Sequence, residues 1–144
     1  MPSAPFVHEK PVIVSEAHLD SFGHVNNARY LEIFEQARWD LITERGFGIE
    51  AIQRTRTGPT ILEINLRFTR ELRHRDSIVI HSQMVSYERK IGRLRQTMVK
   101  ADGNPACEAL FTIGLFDLER RRLIEPTPEW LYALGIDEGT HAQG

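Results

Sequence analysis

A single cysteine, Cys107, stands in this sequence, which excludes an internal disulfide. Long apolar runs are also missing, so no segment reads as a membrane span. No N-terminal stretch joins a basic start to an apolar run of signal-peptide length, and a cytoplasmic location is expected. Neither sign of charge dominates: 18 Lys and Arg stand against 20 Asp and Glu, a formal net charge of -2. The signs are interspersed, which argues against a nucleic-acid partner held through phosphate contacts. Neither a Gly-x-Gly-x-x-Gly run nor a phosphate-loop motif occurs, so nicotinamide, flavin and ATP chemistry lack their usual sequence support. His18 and His24 flank Asp20, yet their spacing matches no familiar zinc pattern and no cysteine cluster joins them. Neither a metal nor an added cofactor is expected.

What is present is ordinary for a folded domain: 144 residues, 41% hydrophobic and 26% charged. A chain of this length buries on the order of 70% of its unfolded surface, so one core suffices without a covalent staple. There is no internal repeat, low-complexity tract or linker, and residues 1–144 read as one domain with a core over about 8–135 and loose ends. Val12, Ile13 and Val14 open as a short strand. Asn26 is placed to cap a helix in which Tyr30, Leu31, Phe34, Ala37, Leu41 and Ile42 recur at helical spacing until Gly46. Arg38 interrupts that apolar face, one turn after Glu35, with which it could pair while its stem stays packed. Beyond Gly58-Pro59 the period shortens: Leu62, Ile64, Leu66 and Phe68 alternate with polar residues as in a half-buried strand. Ile78 to Tyr87 and Ile91 to Lys100 are further strands, and Asp102-Gly103 turns into an alternating run from Cys107 to Leu115. Thr127 before Pro128 caps a short helix, Glu129 to Leu134. Strand, long helix and four-stranded meander give an α+β domain, an antiparallel sheet of about five strands wrapped around one long central α-helix. Its open edges invite a second copy.

The segment Asp20-Ser-Phe-Gly23-His24-Val25-Asn26-Asn27-Ala-Arg-Tyr30 sets a carboxylate and an imidazole four residues apart, just before a helix N-terminus. A carboxylate activates water or attacks directly, helix-start N–H groups receive a developing oxyanion, and Gly23 lets the backbone pass close to a ligand. The combination suits acyl transfer. The same residues also suit a plain turn, with Asn26 as cap and His24 merely packed. Gly23, Val25 and Tyr30 are candidate substrate-binding residues, although a core aromatic is the commoner reason for Tyr30. Arg89, Lys90 and Arg93, with Arg95, cluster about a turn where a nucleotide's phosphates would dock; a solvated basic hairpin is the alternative. Arg120 to Arg122 read as a solvated turn, and Cys107 as a core residue.

The run from His18 to Arg38, with its Asp-x-x-Gly-His-Val-Asn-Asn-x-x-Tyr core and Glu35-Gln-Ala-Arg38, resembles the signature of the 4-hydroxybenzoyl-CoA thioesterase-like hotdog family. The likeness continues through the strand order to about residue 117 and into the ending Arg122 to Pro128. It implies a hotdog fold, hydrolysis of an acyl-CoA to free acid and coenzyme A, Asp20 as the catalytic carboxylate, and the Asn27 N–H polarising the thioester carbonyl. It also implies a homodimer or homotetramer with sites at the dimer interface. The loop is similar to that of plant acyl-carrier-protein thioesterases as well, where the histidine matching His24 is held to be catalytic. Phe22 stands where those relatives place a catalytic asparagine, and His18 where many closer ones place an acidic residue. A hydratase or dehydratase on the same fold, acting on an enoyl-CoA, and a non-catalytic acyl-CoA binding module are the rival readings.

Overall fold

A computed structural model describes residues 6–19 and 25–136. In chain order they form β1 (His8–Ile13), a 3-10 turn (Glu16–His18), α1 (Asn27–Glu44), α2 (Ile49–Thr55), β2 (Thr57–Phe68), β3 (Ser77–Glu88), β4 (Ile91–Lys100), β5 (Pro105–Asp117), β6 (Arg122–Ile124) and α3 (Pro128–Ala133). The strands make one antiparallel sheet ordered β1-β3-β4-β5-β2, with the short β6 on β5.

The expected four-stranded meander is corrected in one respect. β3, β4 and β5 do follow one another, but β2 pairs with β5, Thr57 opposite Asp117 and Phe68 opposite Cys107, and not with β3. The link 69–76 separates the two strands because it carries its own anchor, Leu72, which is fully buried. A link this long has no need to close a hairpin.

Alternation then decides the core. On β5, Cys107, Ala109, Phe111, Ile113 and Leu115 are all buried, and Leu94 and Met98 of β4 and Ile78 and Ile80 of β3 join them. Against this concave face α1 lays Tyr30, Ile33, Phe34, Ala37, Leu41 and Ile42, with the Phe34 ring edge-on to Phe111 at 5.9 Å. The helix begins where Asn26 caps it, its side chain accepting the Ala28 N–H at 2.8 Å. It ends before Gly46, whose φ of 92° is left-handed and cheap only for glycine. At this far end Trp130 of α3 stacks edge-on against Phe47 at 5.3 Å and donates its Nε1–H to the Tyr87 hydroxyl at 3.1 Å. Thr127 caps α3 by accepting the Trp130 N–H.

The half-buried reading of β2 is also corrected. Ile61, Leu62, Ile64 and Phe68 are exposed, because β2 is an edge strand and its register shifts at a bulge between Ile61 and Glu63. The seven-residue α2 and three-residue β6 have no counterpart among the sequence expectations.

Candidate active site

The N-terminus of α1 opens on a groove of about 320 Å³, with Val25, Asn27 and Tyr30 on one side and Phe68, Thr69, Arg70 and Glu71 on the other. Asn27 is the first helical residue and is exposed. The Asn26 cap engages the N–H groups of Ala28, through its side chain, and of Arg29, through its carbonyl. The Asn27 N–H is not one of those the cap takes, and it sits at the positive end of the helix dipole. Val25 is buried and pairs antiparallel with Leu19, which draws the two flanks of segment 20–24 together beside the groove. Asp20, Gly23 and His24 themselves lie outside the described residues.

Tyr30 is buried and forms part of the groove wall, its ring edge-on to Phe68 at 4.9 Å. Burial pushes its phenol above the ordinary value, so it stays a neutral hydroxyl. His18, on the 3-10 turn before the site segment, accepts the Ser15 N–H at its Nδ1, 3.0 Å away. That bond spends one of its ring nitrogens on the turn.

Arg89, Lys90 and Arg93 are exposed, as a docking surface requires, but within one protomer they stand far from the groove. β3 starts at Ser77, at the same end of the sheet as Phe68 of the groove, and delivers the turn at Glu88. Eleven steps of about 3.3 Å separate those ends, on the order of 35 Å. Arg89 holds the turn with a φ of 53°, and Arg93 is exposed while its neighbours Gly92 and Leu94 are buried. The structure therefore brings Val25, Asn27 and Tyr30 together and leaves the basic turn at the opposite end.

Residues 68–71 are a wall that sequence reasoning missed, since Phe68 was read only as the last apolar position of a strand and 69–71 fall in a connection without periodicity. A second omission is Arg38. It does not form the ion pair with Glu35 that the spacing allows. Its Nη1 donates to Gln96 Oε1 at 3.0 Å and its guanidinium lies over the Phe111 ring at 4.3 Å. Gln96, fully buried on β4, donates in turn to Ser82 Oγ at 2.9 Å and to the Phe34 carbonyl at 3.1 Å. Desolvation pulls the Arg38 guanidinium down to about 10, and Glu35 opposes that only at a distance. Glu35, Arg38 and Trp39 border a second cavity of about 140 Å³, lined also by Leu94 and Ile113 of the sheet interior and by Pro59 and Ile61 of β2. The signal for this site was present in the sequence as one cation on an apolar helix stripe.

Among the described residues no helix is long and apolar enough to cross a membrane, and no group of three or more potential metal ligands occurs. A family model described as the thioesterase-like superfamily matches residues 14–134. The long-chain acyl-CoA thioesterase FadM of Escherichia coli (strain K12) is 32% identical over 108 residues, 74% of this chain and 81% of that protein. The crystal structure of YbaW, a probable thioesterase from Escherichia coli, superposes with a TM-score of 0.78 at 29% identity, covering 89% of this chain and 96% of that one. The hypothetical protein SAV2348 from Staphylococcus aureus, solved in complex with CoA, shares the fold with a TM-score of 0.86 at 16% identity, over 100% of this chain and 91% of that one.

Proposed function

This chain belongs to the thioesterase-like superfamily, and from that premise we propose that it hydrolyses an acyl-CoA thioester to the free acid and coenzyme A, with Asp20 as general base or nucleophile. The observation that carries the residue assignment is the groove at the start of α1, lined by Val25, Asn27 and Tyr30. The thioester carbonyl docks against the helix N-terminus, where the Asn27 N–H and the helix dipole stabilise the tetrahedral oxyanion. That oxyanion forms when water, deprotonated by Asp20, or Asp20 itself adds to the carbonyl. It collapses with cleavage of the C–S bond, and the coenzyme A thiolate leaves and takes up a proton. In the second route water then hydrolyses the mixed anhydride. His24 assists by hydrogen bonding to Asp20 or to substrate. Gly23 lets the backbone pass close to the acyl group, and Tyr30 and Val25 wall it. No added cofactor takes part. The setting is the cytoplasm, and a long-chain acyl-CoA, the substrate in the FadM name, is the first to test.

The working unit in this proposal is a homodimer or a homotetramer built from such dimers. The exposed apolar edge of β2 supports it. Two-fold pairing of β2 with β2 reverses strand direction, which brings the partner's Arg89–Lys90 turn to the end of the sheet where this protomer's groove opens. Coenzyme A phosphates docked on Arg89, Lys90 and Arg93 of one copy then serve the thioester held at Asn27 of the other.

The test is thiol release from a panel of acyl-CoA substrates. Asp20→Ala is expected to lower turnover by roughly 10² to 10⁴ with an unchanged circular dichroism spectrum, and full activity in that variant would remove Asp20 from the mechanism. Loss of the enoyl chromophore without thiol release would move the assignment to hydration.

A further inference from the structure

The two flanks of α1 are finished differently. Over β1, the helix is tied down: Asp40 pairs with Lys10 at 2.9 Å and Glu44 with His8 at 2.8 Å. Over β2, Glu35 and Arg38 border an open cavity, and among the described residues no carboxylate pairs with Arg38 and no cation with Glu35. A largely buried guanidinium without a counter-ion is costly, and this one is held in place by a fully buried relay through Gln96 and Ser82. The structure thus holds a cation beside the cavity by hydrogen bonds and ring stacking alone. Pro59 and Ile61 of β2 line the same cavity, and Ile61, Leu62 and Ile64 are exposed along this edge strand.

A two-fold contact can supply a counter-ion from the same sequence. In an isologous interface, residue i meets j and j meets i, so opposite charges one turn apart on a helix near the axis satisfy each other twice. We propose that Glu35 and Arg38 of α1 pair reciprocally with Arg38 and Glu35 of a second copy, closing the α1–β2 cavity as a wall shared by two chains. This inference rests on the dimer reading above and deepens it. It assigns the occupant of the open flank and makes Arg38 a register device, because a helix slipped by one turn would face like charges.

The charge pattern yields a test that a merely sticky surface would not pass. In a homodimer of the Glu35→Arg variant the introduced guanidinium faces Arg38, and in one of the Arg38→Glu variant two carboxylates face each other. An equimolar mixture of the two variants offers only opposite charges at both contacts. By light scattering after size exclusion, and by native mass spectrometry, the wild-type chain is expected to be a dimer. Each variant alone should dissociate at least ~100-fold more readily, and the mixture should form the mixed dimer with near wild-type affinity. Circular dichroism checks that each variant folds. Should Arg38→Glu fail to fold, Glu35→Arg combined with Arg38→Gln removes the repulsion and should dimerise more tightly than Glu35→Arg alone. A wild-type monomer would sink the dimer reading and this pairing with it. A wild-type dimer that Glu35→Arg leaves intact, or a mixture of folded variants that stays unpaired, would overturn the pairing alone. In that case a loss of thiol release on Arg38→Gln without loss of the dimer would assign the guanidinium to substrate.

Discussion

The Arg38–Gln96–Ser82 relay permits a sharp thermodynamic test, because it is a polar network inside an otherwise apolar core. Gln96→Leu removes three hydrogen bonds: one from a charged donor, typically ~1.5–3 kcal/mol, and two neutral ones of ~1 kcal/mol each. The loss of about 4 kcal/mol should lower Tm by roughly 10 °C in a chain of this size. Arg38→Met alone leaves the Gln96 carbonyl oxygen buried without a donor and forfeits the stacking on Phe111, about 2–3 kcal/mol together. The double variant carries the argument. Once both polar partners are gone, neither is left stranded, so its loss should fall short of the sum of the single losses by ~2–3 kcal/mol. Urea denaturation at one fixed protein concentration is the assay, since a dimer's apparent stability moves with concentration. Losses that add to within about 0.5 kcal/mol would show that the two side chains do not act as a unit, and the relay reading would fall.

Three further outcomes follow from buried or paired groups elsewhere. Tyr87→Phe strands the buried Trp130 Nε1–H and should cost about 1–3 kcal/mol, while a change under about 0.5 kcal/mol would mean that the indole finds another acceptor. Lys10 holds the Asp40 carboxyl below the ordinary carboxylate value. Its contribution is present above that value and lost as pH falls through the lowered one, so Asp40→Asn should flatten the acid limb of the stability profile; an unchanged limb would refute the pair's role. Burial pushes the Cys107 thiol up to about 12, leaving roughly one thiolate in 10⁴ at about pH 8. The native protein should therefore ignore a thiol reagent that titrates one cysteine after denaturation, and stoichiometric labelling of the folded chain would contradict its burial.

Elements carried by their own periodicity were legible from residues alone. Helix α1 has a cap, an apolar stripe and a terminating glycine within one stretch, and β5 alternates inward at Cys107, Ala109, Phe111, Ile113 and Leu115. The position of β2 was not legible. Its alternation of Leu62, Ile64, Leu66 and Phe68 is that of a strand with one covered face, and in the protomer most of that face is bare. The proposed dimer would supply the cover that the alternation anticipates, since an exposed edge strand is a template for pairing with another chain. Pairing order is likewise a long-range property. Nothing in residues 69–76 declares that Leu72 will be buried and send β3 to the far side of the sheet.

The site follows the same division. Residues within one turn of the helix start, Val25, Asn27 and Tyr30, are adjacent in sequence and in space, so local reasoning could group them. The basic turn at Arg89 could be recognised as a cluster but not placed, since its distance from the groove is set by the length of β3 and not by any residue in the turn. That distance has a mechanistic consequence. A ligand bound at one protomer's helix start cannot use the same protomer's Arg89 and Lys90 unless it spans the whole sheet. The exposed β2 edge and the uncompensated Arg38 both lie on the flank where an antiparallel second copy would bring its own basic turn to the groove. In the proposed dimer, three features that look unrelated along the chain, a distant basic cluster, a bare strand and an unpaired cation, would share one explanation. Disrupting the Glu35–Arg38 exchange should consequently raise KM for the coenzyme A ester together with the dimer dissociation constant. A variant that is monomeric yet keeps wild-type KM would break that connection.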